Sequence, residues 1–192
     1  VLDPPLGASE LDDTRRDTLF AFGGDRANSV PQVAMLNTLF LREHNRLAGE
    51  IEAAYPDWDD DRVFETARNT VIVLFIKIIV EDYINHISPL PFTLRADPSV
   101  AWDAPWNKPN WITTEFSLLY RWHALIPDQM WWGGELHPVH TTFMNNALLI
   151  DNGLLQGFAD VSATQAGELG PQNTATPLLH IEQKSLEQDR FC

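Results

Sequence analysis

Between Val33 and Ala54 the apolar side chains fall at positions 33, 36, 40, 47, 51 and 54, close to the 3.6-residue period of a helix. Pro31 suits the first turn of that helix, where its missing N–H costs nothing, and Pro56 stops it. Asp59, Asp60 and Asp61 then supply an N-cap and favourable negative charge to a second helix, predicted to reach about residue 88. Its second half, Val71 to Val80, is apolar on nearly every side and is interrupted only by Lys77. A helix of that kind is predicted to be central and buried. It is also too short to span a bilayer, which needs about 20 residues.

The rest of the chain fits the same class. Residues 89–110 hold five of the thirteen prolines and read as an extended surface loop. Further helices are predicted over Ile112–Leu125, ended by Pro127, over Thr141–Leu155 and over Pro177–Asp189. Gly23, Gly24 and Asp25 mark a turn, Trp131-Trp132-Gly133-Gly134 a loop, and no strand stands out. The predicted fold is mostly α, multi-helical and one domain, which suits 192 residues.

Thirteen basic residues against twenty-seven acidic ones give a net charge of −14, which disfavours a nucleic-acid partner. The one cysteine, Cys192, permits no intrachain disulfide and no Cys-based zinc site, which points toward a reducing, cytoplasmic compartment. The first residues, VLDPPLGASELDD, carry neither the basic nor the apolar segment of a signal peptide. Five of the seven tryptophans, at 102, 106, 111, 131 and 132, predict a sizeable apolar interior or cavity in this half.

Three groups of residues could carry chemistry. In LLYRWHALI, His123 sits among apolar neighbours with Tyr120 three positions earlier, hence on the same face if the helix is continuous. Such a histidine is either a satisfied core residue or an axial ligand to haem iron, and spacing does not choose. In LFLREHNRLAGEI, Glu43, Arg46 and Glu50 are spaced for a structural ion-pair network. His44 lacks ligating neighbours there, since Phe40, Leu41, Leu47 and Ala48 occupy the spacings that would serve. His137 and His140 flank Pro138 and have no third ligand nearby, so they read as loop histidines. The Gly23-Gly24-Asp25-Arg26 stretch lacks the spacing of a phosphate-binding loop.

Taken together, TLFLREHNRLAGEIEAAYPDWDDDRVFETAR and EFSLLYRWHALIPD resemble the animal-type haem peroxidase superfamily, over about residues 22–190. Within it the chain is most similar to the cyclooxygenase and fatty-acid dioxygenase branch. LLIDNGLLQGFAD and HIEQKSLEQDRFC fall where that family has its next helices.

The resemblance implies a haem-dependent oxidoreductase with haem b as cofactor. His123 would be the proximal iron ligand and Tyr120 the residue that becomes a radical. That radical would remove hydrogen from an unsaturated fatty acid before O₂ adds. Peroxidase-only members have no tyrosine at that place, so YRWH favours the oxygenase reading. Phe116, Leu119, Trp122, Ile87 and Ser88 resemble residues lining the fatty-acid channel. Arg26 looks like the distal arginine that polarises the peroxide bond. Ser29 and Val30 stand where some members link haem through Glu and Met, so no covalent link is expected here. Leu90 replaces a tyrosine that helps bind the substrate carboxylate in cyclooxygenases.

On this resemblance residues 1–192 are the central portion of one catalytic domain. The distal histidine, the calcium loop of peroxidase members and the partner of the proximal histidine belong to segments on either side. Any peripheral membrane contact would come from those segments too, and the isolated portion is expected to be inactive. The alternatives are a peroxidase oxidising small organic or halide substrates with H₂O₂, and an inactive truncated scaffold without haem.

Overall fold

In the computed structural model the described residues are 12–24, 26–89, 91–101, 103–109, 111–120 and 125–167. The helix predicted over Pro177–Asp189 lies outside them. The described chain is mostly helical, as expected: α1 (Asp13–Arg16), α2 (Pro31–Ala54), α3 (Asp60–Lys77), α4 (Asn85–Ile87), α5 (Pro98–Ala101), α6 (Thr114–Leu119) and α7 (Ala147–Ala163). It divides into two compact units, one of residues 40–112 and one of residues 1–39 with 113–192.

α2 begins at Pro31 and ends before Pro56, and in the unit of residues 40–112 α3 begins where the aspartates require. The Asp59 carboxylate accepts from the Arg62 N–H at 2.8 Å and so caps α3. Tyr55 stacks on Trp58 in the intervening turn, and the Arg62 guanidinium lies 3.9 Å above the Trp58 ring. The helices run back along each other, with Phe40 edge-on to Phe75 and His44 edge-on to Phe64. After Lys77 the helix continues as a π-helical stretch, Ile78–Ile84, before α4.

The expected burial of the apolar stretch is not what the structure shows. Ile72, Phe75 and Ile76 are 46–47% exposed, and Val63 and Ala67 are the buried residues of α3. An apolar circumference asks for neighbours on every side, and the described residues bury only Val63 and Ala67 of α3.

The second unit contains the strands that the sequence did not announce. Residues Gln129–Trp132 (β1) and Glu135–Pro138 (β2) pair antiparallel, with Trp132 opposite Glu135. Gly133 and Gly134 join them at φ +61° and +85°. Two consecutive positive φ values give the two-residue turn whose twist matches the strands, and glycine enters it without strain. Alternation along β1 buries Trp132 and leaves Trp131 in contact with solvent.

Trp132 packs with Ala34, Met35 and Leu149 to form the buried core, flanked by Phe20, Phe22 and Phe158. The close approach depends on Gly157 of α7, where a Cβ would sit 3.0 Å from the Trp132 ring and 3.1 Å from the Met35 sulfur. Asp160 of α7 ties down the hairpin turn by accepting from the Gly133 N–H at 2.7 Å. The helix predicted to begin at Thr141 starts later, after a 3₁₀ turn, and kinks at Gly153. Of the clustered tryptophans only Trp132 is shown buried, while Trp106 and Trp111 are 70% and 88% exposed.

Candidate functional site

The segment carrying Tyr120 begins at Thr113, whose hydroxyl accepts from the Phe116 N–H at 3.1 Å and caps α6. One turn later the Phe116 carbonyl accepts from the Tyr120 N–H at 2.8 Å. The two rings stack, with centroids 4.8 Å apart and planes 12° from parallel. Both are exposed, Phe116 by 50% and Tyr120 by 39%.

The helix predicted to reach Leu125 ends at Leu119. Tyr120 has φ −87° and ψ 63°, the dihedrals of an inverse γ-turn rather than of a helix. The shared face expected for Tyr120 and His123 runs through residues 121–124, which are not among the described ones. His123 and Trp122 lie outside the described residues, as does Leu90. Leu119 is the last residue of α6.

Arg26 is exposed, in the turn after Gly24, and its carbonyl accepts from the Ser29 N–H at 3.0 Å. That turn is held from behind by buried amides, a feature the sequence reading missed. Asn28 is 3% exposed; its side chain accepts from the Phe20 N–H at 2.9 Å and donates to the Phe20 carbonyl at 2.8 Å. Asn146, fully buried, donates to the Asn28 side-chain oxygen at 2.7 Å. Only the match of two short polar side chains to an extended backbone reveals such a pair, and no spacing in the sequence announces it.

In the other unit, Ile87 closes α4 and is 42% exposed, while Ser88 is half-buried with its N–H on the Ile84 carbonyl at 2.9 Å. The loop after them is clamped back onto the helix. Asn85 accepts from the Leu94 N–H and donates to the Leu94 carbonyl, both at 2.8 Å, imitating a paired strand. Glu81 accepts from Lys77 at 2.8 Å and from the Ala96 N–H at 3.0 Å. Beside this clamp an apolar cleft of about 410 Å³ runs between Val73, Ile76 and Val80 on one side and Pro98, Val100 and Trp106 on the other.

The ammonium of Lys77, with help from the Ala96 N–H, holds the Glu81 carboxyl below its usual range. A lowered carboxylate pKa stabilises the fold above the unfolded pKa and stops doing so as pH falls through the folded one. Amide exchange at Ala96, measured relative to its intrinsic rate at each pH, is therefore expected to accelerate as acid protonates Glu81. In Glu81→Gln it should already be fast at neutral pH and respond less to acid. Identical acid profiles in the two proteins would exclude this clamp as the titrating element.

His44 faces the Phe64 carbonyl at 3.3 Å and the Asn45 side chain at 3.3 Å. Glu43 and Arg46 form a two-pronged ion pair at 2.8 Å, which keeps the Glu43 carboxyl low. His137 pairs opposite Met130 in the hairpin and His140 lies in the 3₁₀ turn. Among the described residues no three His, Cys, Asp or Glu converge as a metal cage. No helix among them is long and apolar enough to cross a membrane.

The family model described as animal haem peroxidase matches residues 4–184. The chain belongs to that family. Its relatives include prostaglandin G/H synthase 2 of Cavia porcellus, 34% identical over 172 residues, and that of Equus caballus, 35% identical over 172. Prostaglandin G/H synthase 1 of Canis lupus familiaris is 32% identical over 173 residues. The matches take in 88–89% of this chain but only 28% of each synthase. Among solved structures, peroxidase A from Dictyostelium discoideum superposes with a TM-score of 0.67 at 23% identity, over 86% of this chain and 32% of that one. That likeness confirms the helical peroxidase fold. Family membership places the chain among haem peroxidases with cyclooxygenase-type homologues.

Proposed function

We propose that this chain is the central portion of one catalytic domain that oxygenates an unsaturated fatty acid, with Tyr120 as the radical-forming residue. One observation carries the reading: a tyrosine stands three residues before a histidine, in Tyr120-Arg121-Trp122-His123, in a chain of this family related to prostaglandin G/H synthases. The donor chemistry suits haem rather than zinc. Haem iron would take a single imidazole nitrogen from the protein, whereas zinc takes three or four protein ligands. His123, between Trp122 and Ala124, offers that single nitrogen with apolar flanks.

Haem held there supplies one-electron oxidation when a peroxide is present. Tyr120 contributes the rest. Its ring would give up one electron and its Oη one proton, both taken up as peroxide oxygen is reduced to water, leaving a neutral phenoxyl. The phenoxyl oxygen takes a hydrogen atom from a carbon between two double bonds of the acyl chain, so the C–H bond breaks and the O–H bond re-forms. O₂ adds to the carbon radical, and the resulting peroxyl takes a hydrogen atom from Tyr120 Oη. The hydroperoxide leaves and the phenoxyl is restored. In this reading Arg26 polarises the peroxide, and Phe116, Leu119 and Trp122 line the path of the acyl chain.

The test is oxygen uptake on adding linoleate to the intact enzyme. Wild type should consume O₂, and Tyr120→Phe should fall to background while still oxidising a small phenol with peroxide. Unchanged uptake in Tyr120→Phe removes the radical role. A wild type that oxidises the phenol and takes up no O₂ is a plain peroxidase.

A further inference from the structure

Tyr120 has a neighbour placed to control it. The Phe116 backbone is tied on both sides, its N–H to the Thr113 hydroxyl at 3.1 Å and its carbonyl to the Tyr120 N–H at 2.8 Å. Its ring is thus carried on a capped turn and lies face to face with the Tyr120 ring, 4.8 Å away and 12° from parallel. Offset stacks of this kind contribute about 0.5–1.5 kcal/mol beyond area burial. Both rings are well exposed, so the stack is not imposed by burial in a close-packed core.

We propose that Phe116 is a positioning residue for Tyr120, and the proposal rests on the radical role given to Tyr120 above. Two torsions decide what a phenoxyl can do. Rotation about Cα–Cβ swings the oxygen through space, so it sets the distance to the acyl carbon. Rotation about Cβ–Cγ leaves the oxygen in place but turns the ring plane, and with it the half-filled orbital that accepts the hydrogen atom. The second torsion is intrinsically soft, with broad two-fold wells. A neighbouring ring at stacking distance restricts both, because either rotation would break the parallel contact. Hydrogen-atom transfer is sensitive to such placement: a misplacement of about 1 Å costs on the order of 100-fold in rate.

The inference separates Phe116 from an ordinary channel wall. A wall residue acts on substrate binding, whereas a positioning residue acts on the transfer step after the substrate is bound. It also separates Phe116 from the axial histidine, since the stack is a property of this chain's own side chains and requires no haem.

Two measurements test it. With ring-labelled tyrosine in the 192-residue chain, the Tyr120 signals are identified by their loss in Tyr120→Phe. Facing rings shield each other, so Phe116→Leu should move those signals downfield and Phe116→Tyr should keep them in place. Phe116→Met serves as a second non-aromatic variant should the leucine protein fail to fold. In the intact enzyme, Phe116→Leu should lower kcat for oxygenation by about tenfold or more with little change in KM, broaden the β-proton splitting of the tyrosyl radical signal, and be rescued by Phe116→Tyr. Unmoved Tyr120 signals overturn the stack and leave the proposed function standing. A change in KM alone makes Phe116 a channel wall and overturns the positioning role. Oxygenation that survives Tyr120→Phe overturns the proposed function instead, whatever the ring signals show.

Discussion

Replacing His123 with alanine is expected to abolish the haem Soret absorption of the intact enzyme, and with it both peroxidase and oxygenase turnover. In the proposed reading the His123 imidazole would be the protein's bond to the iron, and an alanine methyl group offers no lone pair in its place. Two of the described histidines are poor substitutes. His44 is engaged with the Phe64 carbonyl and with Asn45, and His137 is a strand residue opposite Met130. His44→Ala and His137→Ala should therefore keep the band. Added imidazole should restore it in His123→Ala, because a free ligand can enter the space the side chain leaves. Rescue distinguishes a lost ligand from a lost fold. An undiminished Soret band in His123→Ala, without imidazole, would falsify the ligand assignment.

How much of this was readable beforehand differs from element to element, for physical reasons. The long helices α2 and α3 could be drawn from the sequence because periodicity, Pro31, Pro56 and Asp59 all agree on their limits. The Glu43–Arg46 pair was equally legible, since i, i+3 spacing on a straight helix dictates proximity. The hairpin was missed because Gln129, Met130, Glu135 and Leu136 have little strand propensity, and Gly133-Gly134 read as a loop. The turn's positive φ values were the signal, carried by the glycine pair alone.

The apolar stretch 71–80 teaches the opposite lesson. Composition records which surfaces gain from being covered, but it does not say which part of a chain covers them. Hence Phe75 and Ile76 are half exposed where a buried helix was predicted. At the candidate site the spacing of Tyr120 and His123 was plain, yet its translation into geometry assumed a continuous helix. The helix ends at Leu119, and the contact the described residues show for Tyr120 is the stack one turn back, with Phe116. Local spacing is reliable only as far as the backbone keeps its period.

The largest stability effect is expected at Trp132. Its side chain is 1% exposed and joins β1 to Met35, Leu149 and Gly157. Trp132→Ala should destabilise the unit that contains it by about 3–5 kcal/mol, from lost transfer energy and the cavity left behind. That is a large fraction of the roughly 5–15 kcal/mol that holds a typical domain together. The indole N–H complicates the comparison in an instructive way. Among the described residues it has no hydrogen-bond partner although it is buried, and such an orphaned donor costs about 1–3 kcal/mol. Trp132→Phe removes that donor while keeping a six-membered ring against Gly157. It should therefore recover about 2 kcal/mol or more relative to Trp132→Ala. Trp131→Phe, on the exposed face of the same strand, should stay within about 0.5 kcal/mol of wild type. Urea denaturation with a common slope ranks the three. Equal losses for Trp132→Phe and Trp132→Ala would mean that the indole N–H is satisfied after all, and that its bond, rather than ring packing, anchors the hairpin to α7.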